Sequence, residues 1–196
     1  MRPGLAGLIA WVGLSLAGVA HAQQEMTPEQ TAEAYCVQTQ VEAAGKTQVI
    51  LDSYFIETSP DEVHTEAQKE MTAAAARCSG HYGWTPEQTE TAQNLGLMSA
   101  VSNQLAIELQ NGGTPSAVIA DIYGATEGLS GREMLLLFNA KWKDDEAFVE
   151  KMRAVVVGRG VPDNYMMVGA SLRLIETWLV QASELQKFQA SRFGGG

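Results

Sequence analysis

The chain contains 196 residues, of which 45% are hydrophobic and 18% are charged, and its 23 acidic and 13 basic residues give a net charge of −10. The hydrophobic content argues against disorder, and two cysteines are too few for a small scaffold held together mainly by disulfides. The negative charge excludes proteins that track nucleic-acid phosphates or anionic membranes, because both need clustered positive charge. We therefore expect no nucleic-acid partner.

The N-terminal segment has the layout of a secretory signal peptide. Arg2 precedes an apolar run over residues 5–19, which closes on Ala20-His21-Ala22 with small residues at the last and third-from-last positions. This arrangement predicts cleavage after Ala22 and export to the periplasm. The alternative is a retained membrane anchor, but the run is shorter than the ~20 residues that span a bilayer.

Removal of residues 1–22 leaves a length that suits one domain. We expect a helical domain over residues 23–193, a flexible glycine tail over residues 194–196, and no stable membrane insertion after cleavage.

Two cysteines in an exported chain are expected to pair. Because the compartment is oxidising, Cys36 and Cys78 are predicted to form a disulfide. The alternative is a metal half-site formed by Cys78 and His81, but the chain lacks a second pair of ligands at a metal-binding spacing. We therefore expect neither a metal ion nor a cofactor.

Prolines mark the predicted helix starts. Three segments place Ser or Thr directly before Pro, with Glu or Gln three residues after the Ser or Thr: Thr27-Pro28-Glu29-Gln30, Ser59-Pro60-Asp61-Glu62 and Thr85-Pro86-Glu87-Gln88. The hydroxyl is expected to cap the helix, and the proline to occupy the first helical position, where its missing N–H is harmless. Ser130 with Glu133 predicts the same cap without a proline.

Helical spacing of apolar residues continues from these starts to the C-terminus. The predicted helices cover residues 27–44, 48–57, 60–78, 86–110, 115–123, 131–142, 144–157 and 163–193. In the last of these, an apolar stripe runs from Tyr165 through Val168, Leu172 and Ile175 to Leu179, and Met166 widens it. Such a helix is typically central to a bundle. The sequence therefore predicts a compact all-α domain of seven or eight helices.

Few residues offer catalytic chemistry. His64 lies among acids on a predicted solvent-facing helix surface, and no nucleophile motif accompanies it. The first candidate for a binding site is the short connection that carries His81, Tyr82 and Trp84, beside the predicted disulfide. The simpler interpretation is that these rings cover the edge of the core. The inventory favours a protein without enzymatic activity.

Three functions fit a non-catalytic helical domain. The first, which we favour, is an interaction or accessory module that binds another envelope protein, because such a module needs only a surface patch. The second is a carrier that encloses an apolar ligand among its methionines and tryptophans, such as Met166, Trp142 and Trp178.

The third function follows from a resemblance. Met26-Thr27-Pro28-Glu29-Gln30 and Trp84-Thr85-Pro86-Glu87-Gln88 resemble the Leu-Thr-x-x-Gln motif that occurs twice in the small periplasmic chaperones of the Spy and CpxP kind. The match covers ten residues, with Met26 and Trp84 in place of leucine. It implies a helical chaperone or stress sensor.

Overall fold

A computed structural model describes residues 26–56 and 60–194 of the chain. The predicted signal peptide, the cleavage site and Ser59 lie outside these residues. Within them the fold is all-α, as predicted, with nine α-helices rather than seven or eight. The helices are α1 (Pro28–Ala34), α2 (Cys36–Ala43), α3 (Thr47–Phe55), α4 (Asp61–Tyr82), α5 (Pro86–Asn111), α6 (Ser116–Ala120), α7 (Gly131–Phe138), α8 (Glu146–Gly158) and α9 (Tyr165–Arg192). Two 3₁₀ helices cover Ile122–Thr126 and Lys141–Asp144.

The two longest helices, α5 and α9, form the centre of the fold and pack against each other. Two groups of buried residues lie along this pair. The first, the disulfide-end core, includes Val37, Cys78, Trp84, Leu95 and Phe188. The second, the groove-end core, contains residues of α5, α8 and the first half of α9: Leu105, Leu109, Phe148, Met152, Val168, Leu172 and Ile175. Burial of apolar surface in these groups is the main source of stability.

Hydrogen bonds join α9 to α5 and to Tyr35, the residue between α1 and α2. The amide of Gln181 donates to Ser99 Oγ at 3.0 Å and to Tyr35 Oη at 3.3 Å. The same side chain accepts from Ser102 Oγ at 3.3 Å. Because each of these groups loses water on burial, the bonds fix the rotation of α9 relative to its neighbours.

The helix starts follow the predicted capping chemistry at three positions. Thr27, Thr85 and Ser130 each accept from the backbone N–H three residues later, and the side chain at that third position bonds back to the capping residue's N–H. The two pentapeptides that resemble the chaperone motif therefore share a helix-starting geometry. Pro60 differs from the prediction: its ψ of 147° is extended, so it precedes the helix that begins at Asp61.

The structure corrects three predicted boundaries. The helix predicted over 27–44 is interrupted at Tyr35, whose ψ of 14° separates α1 from α2. The helix predicted over 131–142 ends at Phe138, because Ala140 has a left-handed φ of 55°. The helix predicted to end near Gly80 continues to Tyr82 and stops at Gly83, whose φ of 69° is favourable for glycine.

A glycine permits a close helix contact in the disulfide-end core. A Cβ on Gly96 of α5 would lie 3.1 Å from the Val37 side chain and from the backbone nitrogen of Gln38 in α2. Since such distances are shorter than ordinary van der Waals contacts, any side chain at this position would push α2 and α5 apart.

None of the helices formed by the described residues is both long enough and apolar enough to cross a bilayer.

Candidate functional site

The predicted disulfide is present. Cys36 in α2 and Cys78 in α4 are joined by an S–S bond of 2.01 Å across 42 positions of sequence. The bond links two helices that already contact each other in the disulfide-end core, and Cys78 is buried. It therefore reinforces the packing of α2 against α4.

The segment predicted as a binding loop is largely helical. His81 and Tyr82 form the last turn of α4, and Trp84 follows the glycine that ends this helix. Trp84 is only 7% exposed, and the Tyr82 ring stacks on it at 5.7 Å. His81 is exposed and meets Tyr82 edge-on at 4.5 Å.

The polar atoms around Trp84 have partners inside the protein. Its Nε1 donates to Glu33 Oε1 at 2.8 Å, and Arg192 donates to the same oxygen at 2.6 Å. Arg192 also donates to the carbonyl of Tyr82 at 2.8 Å. These contacts close the edge of the disulfide-end core. A binding role for His81, Tyr82 and Trp84 stays a prediction.

The His64 ring has one side-chain hydrogen-bond partner among the described residues. Its Nδ1 lies 3.0 Å from Ser53 Oγ, and both residues line a shallow cavity of about 260 Å³. Among the described residues no carboxylate is within hydrogen-bonding distance of His64 to orient its ring as in a catalytic triad. The exposed position agrees with the prediction of a solvent-facing helix surface.

A concave surface lies between α8 and the first half of α9. This α8–α9 groove has a volume of about 660 Å³ and is open to solvent. Its lining comes from α3, α5, the second 3₁₀ helix, α8 and α9: Phe55, Leu105, Glu108, Trp142, Lys143, Glu146, Val149, Glu150, Arg153, Tyr165, Met166, Val168, Gly169, Ala170, Leu172 and Arg173. Its size is typical of sites that bind small molecules or short segments.

A tryptophan held by a carboxylate forms part of the groove wall. Trp142 Nε1 donates to Glu176 Oε2 at 2.6 Å, which fixes the indole against α9. The ammonium of Lys143 lies 5.6 Å from the centre of the same ring, in cation–π distance. The indole is therefore a rigid, largely buried part of the groove wall beside a positive charge.

Arg173 is a half-buried cation of the groove. Among the described residues it has neither a hydrogen-bond nor an ion-pair partner. It acts on Tyr54 electrostatically: burial raises the pKa of this phenol, the Glu176 carboxylate raises it further, and the Arg173 guanidinium opposes both. Because its side chain is partly exposed, the guanidinium can donate to an acceptor from outside the chain.

Two apolar side chains project at the groove rim. Tyr165 is 91% exposed and Met166 is 74% exposed. The sequence placed both on the buried stripe of the last helix, and that prediction is wrong for this turn. Met167 packs against the end of α5, where a Cβ on Gly112 would collide with its side chain, so its two predecessors face the groove and solvent. Val168, Leu172 and Ile175 are buried as predicted.

Comparison with protein-family models, curated proteins and solved structures found no match to this chain.

Within residues 26–56 and 60–194, no three His, Cys, Asp or Glu side chains are placed to hold a metal ion. The acids of α8 serve the helix itself: Asp145 accepts from the N–H of Phe148, and Glu146 lies in the first turn.

Sequence reasoning missed the groove, since its walls come from five elements between residues 55 and 173. Arg173 gave no signal, because a single arginine in an amphipathic helix is ordinary. The only sequence signal near the groove was the adjacent Tyr165-Met166 pair after Asn164, but its helical spacing predicted that both side chains are buried.

Proposed function

We propose that this chain is an exported, non-catalytic interaction module and that it binds a segment of another envelope protein in the α8–α9 groove. The exposure of Tyr165 and Met166 at the groove rim carries this proposal. Tyrosine and methionine are enriched at protein interfaces, where each buries a large area with few polar atoms to desolvate. An aromatic and a methionine side chain left side by side in water therefore favour a partner that covers them.

The groove supplies the rest of the contact surface. Behind the rim, Trp142, Leu105 and Leu172 give apolar walls. Around it lie charges of both signs, such as Glu146 and Lys143. An apolar centre inside a polar border is the usual arrangement of a protein interface.

Photo-crosslinking in the cells that make the protein tests the proposal. Benzoylphenylalanine replaces Tyr165 in one variant and Leu135 in another; Leu135 is 59% exposed on α7 and does not line the groove. We expect one discrete polypeptide adduct from position 165 and none from position 135. We also expect Met166→Asp to abolish the adduct at position 165. The same adducts from both positions, or an adduct that Met166→Asp leaves unchanged, would overturn the proposal.

A carrier of a small apolar ligand is the second candidate, and the volume of about 660 Å³ beside the Trp142 indole favours it. Native mass spectrometry of protein isolated gently from the envelope separates the two. A carrier retains a small-molecule mass that Gly169→Trp removes, because Gly169 lines the groove and a side chain there would extend into open space. An interaction module shows either its own mass or that of a protein complex.

A further inference from the structure

The α8–α9 groove contains more positive charge than its own acids neutralise at close range. Arg173 has no partner among the described residues, and Lys143 contacts only the Trp142 ring there. By contrast, Arg153 on α8 is paired with Asp163 at 2.8 Å and with Glu150 at 3.5 Å. A half-buried guanidinium without a hydrogen-bonded carboxylate loses part of its hydration, and no direct ion pair offsets that loss. An acceptor from a ligand would supply the missing hydrogen bonds.

The acids of the groove do not occupy this position. Glu108, Glu146 and Glu150 are exposed at the outer edge. Glu108 accepts from Gln104, Glu150 bonds to Arg153, and Glu146 lies in the first turn of α8, where the helix dipole favours a negative charge. In water such charges are screened, whereas the charge of half-buried Arg173 is screened less. A carboxylate on the ligand is therefore attracted to Arg173 and held away from the acidic edge.

The surroundings of Arg173 define the rest of the ligand. Leu172 and Val168 of α9, Val149 of α8 and the Trp142 indole give apolar walls to the same groove. A ligand that fits both features carries a carboxylate and, a few bonds away, an apolar group. A volume of about 660 Å³ encloses the last few residues of a chain more readily than a long helix that passes through.

We propose that the α8–α9 groove binds the carboxyl terminus of a partner polypeptide, with the terminal carboxylate on Arg173 and an apolar last side chain beside Trp142. Capture of a chain terminus by its carboxylate is an established mode of peptide recognition, and arginine gives the two parallel hydrogen bonds that a carboxylate accepts. Tyr165 and Met166 then cover the residues that precede the terminus. This inference rests on the proposed function, because it specifies the partner of the same groove.

Peptide retention on the immobilised protein tests it. The probe is a pool of acetylated pentapeptides ending in Leu, Phe or Val, prepared with free acid or amide termini, and mass spectrometry reads the retained fraction. We expect at least tenfold greater retention of the acids. Arg173→Gln should reduce that preference below twofold. Arg132→Gln should keep it, since Arg132 is an exposed arginine of α7 outside the groove.

Each other outcome overturns the inference in a recognisable way. Equal retention of acids and amides means that the carboxylate is not recognised. Dodecanoate serves as a second probe. Its binding without binding of the peptide acids identifies a fatty-acid carrier instead. If no peptide is retained while benzoylphenylalanine at position 165 still crosslinks a protein, the groove binds a partner but not its terminus. If both experiments fail, the proposed function fails with the inference.

Discussion

Trp84 and Glu33 meet across 51 positions of sequence, and the indole Nε1 donates to the carboxylate at 2.8 Å. Glu33 belongs to α1, whereas Trp84 connects α4 to α5. Arg192, at the end of α9, binds the same carboxylate oxygen at 2.6 Å. One buried carboxylate therefore ties the first helix, the connection between α4 and α5 and the last helix together at the disulfide end.

Removal of this carboxylate should destabilise the fold. Glu33 is 8% exposed, and Glu33→Ala leaves the donors of Trp84 and Arg192 without their acceptor. We expect a loss of about 2–3 kcal/mol in the free energy of unfolding, measured by denaturant melts. The control is Glu66→Ala, which breaks an exposed ion pair with Lys46 and should change stability little. Equal effects of the two substitutions would contradict the role given to Glu33.

Reduction of the disulfide should lower the melting temperature. The chain-entropy model gives about 4 kcal/mol for closing a loop across 42 positions, and this is an upper value because strain reduces it. For a domain of this size we expect a decrease of about 10 °C in thermal melts with reductant. The double variant Cys36→Ser/Cys78→Ser is the control and should not respond to reductant. An unchanged melting temperature, with the bond shown broken by mass, would reject a stabilising role.

The threonine caps should contribute more than the prolines beside them. Thr27→Ala and Thr85→Ala each remove the acceptor of a helix N–H and should cost about 1 kcal/mol of unfolding free energy. Pro28→Ala should have a milder effect, because alanine is also favourable in the first turn. The matched control is Thr72→Ala at an exposed position inside α4, which should be neutral or slightly stabilising. Denaturant melts in which all four variants behave alike would mean that the caps add nothing.

Glu133 should make stability depend on pH in the acid range. The hydrogen bond from Lys151, followed by bonds from Ser130, lowers the pKa of this carboxyl from 4.5 to about 2. Since the folded state binds the proton more weakly than the unfolded state, the stabilisation is complete above about pH 4.5 and is lost as the pH falls towards 2.

Melts of Glu133→Gln across this range test the effect. The stability difference between the wild type and Glu133→Gln should shrink between pH 4.5 and pH 2. Glu90→Gln, at an exposed position of α5, is the control and should show a smaller change. A difference that stays constant across the range would show that the Lys151 and Ser130 contacts do not act on Glu133 in solution.

Local rules predicted the elements whose causes lie within a few residues. The Thr27, Thr85 and Ser130 caps each depend on a side chain three residues away, so their sequence patterns identify them directly. The Cys36–Cys78 pair needed only the cysteine count and the predicted compartment. The helix breaks at Tyr35 and Ala140 have no glycine or proline to mark them. Helix propensity does not locate such breaks, because it is a weak local preference that tertiary context overrides.

The groove depends on tertiary placement for the same reason. Helical periodicity places Tyr165 and Val168 on one face, but it does not say where the facing helix ends. Val168 is buried in the groove-end core, which also contains Leu105 of α5, whereas Tyr165, one turn earlier in α9, is exposed. Likewise, the pairing of Trp142 with Glu176 joins two segments 34 residues apart. Such contacts between distant segments, rather than local sequence, determine the charge and the shape of the groove beside Arg173.

The role of the groove as the interaction site is tested most directly with the partner that the crosslinker at position 165 captures. Its affinity is measured for variants of the groove rim. Calorimetry with the purified partner would compare the wild type, the double variant Tyr165→Ser/Met166→Ser and the control Leu135→Ser. We expect at least tenfold weaker binding for the double variant and a change below twofold for the control, with unchanged melting temperatures. Wild-type affinity in the double variant would contradict the claim that this groove is the interaction site.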